Sequence, residues 1–160
     1  MIKSGSEFWF RIDNRLVHGQ VIEGWLPYLG VRELIVVNDP LSRDELQQQI
    51  MRLAVPSRVA LSFIPVVDVK KRYDFLNQGG ISALFLLANC FDARRVREQG
   101  VPMHALNIGN MHYGPGKRQI CAHVAISDED MNCLLFLEAT GTALDFRCVP
   151  ADSPVLEDWK

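Results

Sequence analysis

The stretch Phe8-Trp9-Phe10-Arg11-Ile12-Asp13-Asn14-Arg15-Leu16-Val17-His18-Gly19-Gln20-Val21-Ile22 reads as a strand, a polar break and the start of a helix. Residues 8–12 are rich in aromatic and branched side chains that suit a strand. Asp13, Asn14 and Arg15 interrupt the pattern. From Gly19, the apolar residues Val21, Ile22, Trp25, Leu26 and Leu29 recur at helical spacing, and Pro27 makes the last turn irregular.

The same alternation runs outward along the chain. Residues 34–37, Leu-Ile-Val-Val, form a continuous apolar run stopped by Asn38-Asp39-Pro40, as in a strand buried on both faces. Ser42 and Glu45 predict a capping box before a helix reaching about Ala54. Strands are expected at 59–64, 81–87, 103–108, 120–126 and 144–149. Helices are expected from Pro65 to about Gln78, from about Asp92 to Gln99, and from a Ser127/Asp130 cap to Thr140, closed by Gly141. Residues 109–117 hold three glycines and a proline and read as a loop; the tail to Lys160 reads as polar. Strand–helix alternation predicts an α/β fold: three layers, doubly wound, around a mostly parallel sheet of about six or seven strands. Ligands of such sheets bind beyond the carboxyl ends of the strands, where the strand order reverses. The break after the first strand is such a place.

The bulk numbers fit one domain over 1–160, with 1–7 as a flexible lead. A chain of 160 residues buries roughly 68–70% of its unfolded surface and needs no staples. A net charge of −2 gives no electrostatic reason to expect nucleic acid. No apolar run approaches the ~18 residues of a membrane span, and the first residues lack the apolar core of a signal peptide. These features predict a cytoplasmic protein. Cys90, Cys121, Cys133 and Cys148 lie in or beside apolar segments with no CxxC pair and read as reduced core thiols.

The break carries the chemistry. Histidine is a nucleophile near neutral pH, arginine a permanent cation with a planar fork for phosphate oxygens, and a carboxylate can fix the tautomer of an imidazole. Asp13, Arg15 and His18 lie within six residues and suit chemistry on a phosphate. Gly19 would let backbone approach a ligand at a helix start, with Asn14 beside it. The plainer account is a loop ion pair between Asp13 and Arg15, with His18 and Gly19 serving only the turn. Asn38 and Asp39 after the second strand, and Gly109 and His112 in the later loop, are candidate pocket walls, though Asn38 and Asp39 could equally cap the next helix. His104 and His123 fall on strand patterns. No HxxxH or HExxH spacing, GxSxG elbow or dinucleotide fingerprint is present, so a catalytic metal, a serine nucleophile or a nicotinamide cofactor is not expected.

The run from Arg11 to Val21 resembles the phosphorylation motif of the IIB component of the mannose/fructose/sorbose family of sugar phosphotransferase systems. Ile35-Val36-Val37-Asn38-Asp39, Asn107-Ile108-Gly109, and Gly141 with the strand ending Val149-Pro150 are similar to later segments of that family. The resemblance implies that His18 accepts a phosphoryl group on Nδ1 from a IIA component and passes it to a sugar carried by membrane IIC and IID components. It also implies that Asp13 and Arg15 support the step and that no cofactor is needed. Asn14 stands where many members have a second aspartate, and Asn110 where a second glycine often follows Gly109. Docking of IIA is expected on a locally positive surface around Arg15, with Lys117 and Arg118 as further candidates; a homo-oligomer is left open. Two other functions fit the same residues: a regulatory phosphoryl relay or store with no sugar acceptor, and a phosphate- or nucleotide-binding module that transfers nothing.

Overall fold

A computed structural model describes residues 5–153 and 156–160. Six strands form one parallel sheet: β1 (Phe8–Asp13), β2 (Glu33–Val37), β3 (Ala60–Ile64), β4 (Ala83–Leu87), β5 (Ala105–Asn110) and β8 (Ala143–Asp145), in the order β3-β2-β4-β1-β5-β8. Two further strands, β6 (Arg118–Cys121) and β7 (Val124–Ile126), form a separate antiparallel hairpin. The expected strand over 120–126 is thus two short strands with a turn between them. The hairpin is tied to the end of β5 where the Met111 amide donates to the His123 carbonyl and the Ala125 amide donates to the Met111 carbonyl.

Side-chain alternation sends successive strand residues to opposite faces. On one face Leu34, Val36, Leu84 and Leu86 pack with Val21 and Leu26 of the helical segment Gln20–Leu29, and with half-buried Met51 of α2 (Glu45–Ala54). On the other, Ile35, Val37, Phe85, Ile12 and Ile108 pack with residues of α3 (Val69–Gln78), α4 (Cys90–Glu98) and α5 (Asp128–Ala139). The three-layer α/β/α expectation holds. The direction in which strands are added reverses between β1 and β5: β1 leads across β4 to β2, whereas β5 leads outward to β8. The crevice of such a sheet therefore opens at the carboxyl ends of these two neighbours.

Several boundaries differ from the sequence reading, each through a local hydrogen bond. The first helical segment begins with π-helical turns, Gln20–Trp25, and only Leu26–Leu29, the α1 turn, is α-helical. Pro27, which has no N–H to give the preceding turn, sits at their junction. No Ser42/Glu45 box forms. Leu41–Arg43 is a 3₁₀ turn, the Ser42 hydroxyl donates to the Asp39 carbonyl, and Asp44 caps α2 by accepting from the Gln47 amide. Another 3₁₀ turn, Val66–Asp68, comes between Pro65 and α3. Asn89 caps α4 through the Asp92 amide, so that helix starts at Cys90. The last strand stops at Asp145, whose carboxylate folds the chain back by accepting from the Arg147 amide. The expected box of Ser127 and Asp130 is present at α5.

Residues 1–4 of the expected flexible lead lie outside the described residues. Ser6 and Glu7 are pinned: the Ser6 hydroxyl donates to Asn77, and the Glu7 amide donates to the Ser82 hydroxyl. The polar tail also docks, because Trp159 is buried against Phe146. Cys90, Cys133 and Cys148 are buried and Cys121 half-buried, all as free thiols. Among the described residues, no helix is long and apolar enough to cross a membrane.

Candidate functional site

Asp13 is the last residue of β1 and is fully buried. Its carbonyl accepts from the Leu16 amide at 2.9 Å, closing a tight turn in which Leu16 adopts a left-handed conformation, φ 57°. A branched-chain residue is rarely held there; such strain persists where the surroundings impose it, and it clusters at functional sites. Leu16 is held by burial in the core with Leu41 and Leu86. The turn lifts His18 to the carboxyl edge of the sheet, with 16% of its side chain exposed.

Asp13 organises everything around it. His18 Nε2 lies 2.7 Å from Asp13 Oδ2. Arg15 donates to Asp13 Oδ1 through its backbone amide and Nε, each at 3.1 Å, and to Oδ2 through Nη2 at 3.2 Å. Arg11, two residues back on the same strand face, donates through Nη2 to Oδ2 at 2.9 Å. Burial alone would raise the Asp13 carboxyl; the hydrogen bonds from His18 and Arg15 outweigh it and hold the group well below the usual carboxylate range. An ionised carboxylate can only accept, so the ring nitrogen facing it carries the hydrogen. The other nitrogen, Nδ1, then keeps its lone pair. It faces the Gln20 amide at 3.3 Å, at the start of the helical segment.

The remaining sequence-predicted residues separate into two groups. Asn14 belongs to the site's frame: its amide donates to the Asn110 carbonyl and its side-chain oxygen accepts from Asn110 Nδ2, which bridges β1 and β5 across the crevice. Gly109 also belongs. β5 carries one extra residue there, so that Ile12 pairs with Ile108 but Asp13 with Asn110, and a Cβ on Gly109 would sit 2.0 Å from Arg11 Cζ. Gly19 has ordinary helical angles and open space around it, so no backbone requirement explains the glycine; it leaves room beside the imidazole.

Asn38 and Asp39 serve their own turn. Asn38 Oδ1 accepts from the Leu41 amide, and Asp39 accepts from the Val66 amide and pairs with Arg95 at 3.0 Å. His112 is exposed on the loop after β5. Lys117 approaches Asp130 at 3.7 Å and Arg118 donates to the Trp159 carbonyl, so both are engaged away from Asp13. His104 and His123 are exposed.

Three residues at the site escaped the sequence reading. Gln20 accepts from Arg15 Nη2 at 2.7 Å and from the Cys148 thiol. Asn107 accepts from Arg11 at 2.5 Å. Arg11 itself is 1% exposed. Its signal was available: a charged residue inside an apolar strand, two positions before Asp13 and so on the same face. Among the described residues, no group of three or more His, Cys, Asp or Glu side chains could hold a metal ion.

A buried carboxylate, a histidine ordered by it, and an exposed arginine lie together at the switch point of a doubly wound sheet. The chain matches the family described as PTS system sorbose subfamily IIB component over residues 8–159, and it belongs to that family. Proteins of this class take a phosphoryl group from a IIA component and transfer it to sugar. The chain is 30% identical to the PTS system fructose-specific EIIB component of Bacillus subtilis, over 89% of this chain and 88% of that one. It is 32% identical to the N-acetylgalactosamine-specific phosphotransferase enzyme IIB component 1 of Escherichia coli, over 89% and 90%. Its fold superposes on the IIBSor domain of the sorbose permease from Klebsiella pneumoniae with a TM-score of 0.86 at 29% identity, covering 94% of this chain and 93% of that one.

Proposed function

We propose that His18 Nδ1 is the phosphoryl acceptor. The observation that carries this reading is the 2.7 Å contact of Nε2 with the buried, ionised Asp13 carboxylate, which leaves Nδ1 as the nucleophile at the edge of the crevice. The donor is a phosphohistidine on a IIA component. The Nδ1–P bond forms as the donor's N–P bond breaks, and the donor nitrogen keeps the bonding pair. His18 retains its Nε2 hydrogen, and the positive charge that the ring acquires is met by Asp13. Transfer of this kind depends on positioning and on charge stabilisation around the phosphoryl oxygens. Arg15, 39% exposed, is the cation able to turn toward them, and the Gln20 amide is freed as Nδ1 gives up its lone pair. Asn14, through Asn110, holds the loop to β5.

In the second half-reaction the Nδ1–P bond breaks, a sugar hydroxyl oxygen takes the phosphorus, and its proton passes to water. This is a protein-phosphohistidine–sugar phosphotransferase working in the cytoplasm, with membrane IIC and IID components presenting the sugar. A mannose-specific EIIAB component of Escherichia coli, 30% identical and spanned for 44% of its length by the matching region, supports IIA as the donor, because its name joins the two components in one protein.

The nitrogen is tested by phosphorylating the protein, labelled with ¹⁵N-histidine, through phosphoenolpyruvate, the general phosphotransferase proteins and IIA. Nitrogen–phosphorus coupling at Nδ1 of His18 is expected. Coupling at Nε2, or at another histidine, would overturn the assignment.

A further inference from the structure

Asp13 receives more donors than His18 needs for its orientation, and the two arginines that supply them differ. Arg15 is 39% exposed and its outer nitrogen also reaches Gln20. Arg11 is 1% exposed and held through both of its outer nitrogens. Its Nη1 donates to Asn107 Oδ1 at 2.5 Å and to the Arg147 carbonyl at 3.3 Å, its Nη2 holds Asp13, and the Trp25 ring lies 5.1 Å from its Cζ. The β-bulge at Gly109 exists where the guanidinium needs room. Yet Arg11 Nε is buried with no hydrogen-bond partner among the described residues. A buried ion pair with an unsatisfied donor is a poor device for stability alone, since apolar residues of similar volume commonly do as well.

We propose that Arg11 is a positioning residue for phosphoryl transfer: it is the fixed partner that keeps Asp13 aimed at His18 Nε2 while Arg15 leaves the carboxylate for the phosphoryl group. The proposal rests on His18 being the acceptor. When the phosphoryl group arrives at Nδ1, its oxygens compete with Asp13 for Arg15, the exposed member of the pair. Without Arg11, the departure of Arg15 would strip the buried carboxylate of its cations, so Arg15 stays and the incoming group goes uncompensated. With Arg11 in place, Asp13 keeps a cation throughout and the imidazole keeps its tautomer. Asn107 and Gly109 act through Arg11, one by bonding it and one by making space for it.

Single-turnover transfer from phosphorylated IIA, corrected for the folded fraction, tests this together with the ¹⁵N spectrum of the His18 ring. Arg11→Met should slow transfer by roughly 10- to 100-fold, the scale of misplacing a reacting group by about an ångström. Adding Arg15→Ala should cost less than the same change does in wild type, because without Arg11 the Arg15 side chain is already held on Asp13. Arg11→Lys should recover part of the rate, since an ammonium keeps the charge but cannot span Asp13 and Asn107 together. Gly109→Ala, which displaces the guanidinium without removing it, should slow transfer and lower Tm. Combining it with Arg11→Ala removes the clash, so Tm should fall no further than in Arg11→Ala alone while the rate stays low, and it decides the matter if Arg11→Met does not fold.

A wild-type rate and ring tautomer in folded Arg11→Met would overturn the proposal. Recovery of both Tm and rate in the double variant would do the same, as it would leave Arg11 a purely structural role. Wild-type protein that accepts no phosphoryl group would instead remove the reading of His18 beneath it.

Discussion

At the residue scale, the site is a carboxylate with partners of unequal freedom. Arg15 lies on a polar turn, so Arg15→Ala leaves no core cavity. A charge-assisted hydrogen bond formed only during transfer is worth about 1.5–3 kcal/mol, so its loss should slow transfer by roughly 10- to 150-fold. Arg15→Lys should recover only part, and in both variants the rate per folded molecule should fall well beyond the modest loss of Tm that weakening two side-chain donors to Asp13 brings. Matched losses of Tm and rate would assign Arg15 to the fold alone. Asp13 makes the opposite prediction. Its folded-state pKa is depressed below the unfolded value, so the stability it contributes is fully present above the unfolded carboxylate range, near pH ~4, and is lost as pH falls toward the folded value. Urea unfolding from pH 6 down to about 2.5 should show this acid limb in wild type and a flatter one in Asp13→Asn, which is also less stable at neutral pH because Arg11 is left buried beside a neutral group. Asp13, Arg15 and His18 were legible because they are adjacent in sequence. Arg11 and Asn107 were not, because their meeting depends on the β1–β5 register and a one-residue bulge that no local pattern encodes.

At the element scale, boundaries followed whichever side chain reached a free amide. Ser127 with Asp130 could be read from spacing, and both hydrogen bonds form. Ser42 with Glu45 had the same spacing, yet Asp44 took the cap, because a 3₁₀ turn over Leu41–Arg43 delays the helix. A two-residue choice of this kind depends on how β2 exits toward Asn38, a tertiary matter. Ser127→Ala should therefore destabilise the protein by ~0.5–2 kcal/mol in urea unfolding, the usual worth of an N-cap, without changing transfer per folded molecule. A loss of transfer at full stability would show that α5 bears on the reaction. The β6–β7 hairpin was hidden for another reason: Ile120 to Ile126 carries a strand-like composition throughout, and only the turn at Ala122-His123 and the tie to Met111 divide it.

At the scale of the whole molecule, the doubly wound sheet was legible because each apolar run is bounded by turn residues and followed by a helical period. The sheet order set the site's place, since the reversal lies between β1 and β5 and the residues after β1 are the ones with chemistry. The expected basic docking surface gains nothing from Lys117 and Arg118, which lie near each other in sequence but are drawn to Asp130 and Trp159. With those cations engaged, Arg15 is the exposed cation at His18, so electrostatic docking of IIA should be modest but present. Raising salt from 50 to 500 mM, which shortens the screening length to under about 10 Å, should slow second-order transfer from IIA while leaving the single-turnover rate within the complex unchanged. A second-order rate indifferent to salt would argue for docking through apolar contact instead.

The central claim is that His18 carries the phosphoryl group, and intact mass tests it most directly. Wild type and His18→Ala are incubated with phosphoenolpyruvate, the general phosphotransferase proteins and IIA, then weighed before and after brief acid treatment. Wild type should gain one phosphoryl group that acid removes, and His18→Ala, folded to the same Tm, should gain none. Equal labelling of the two proteins would contradict the account.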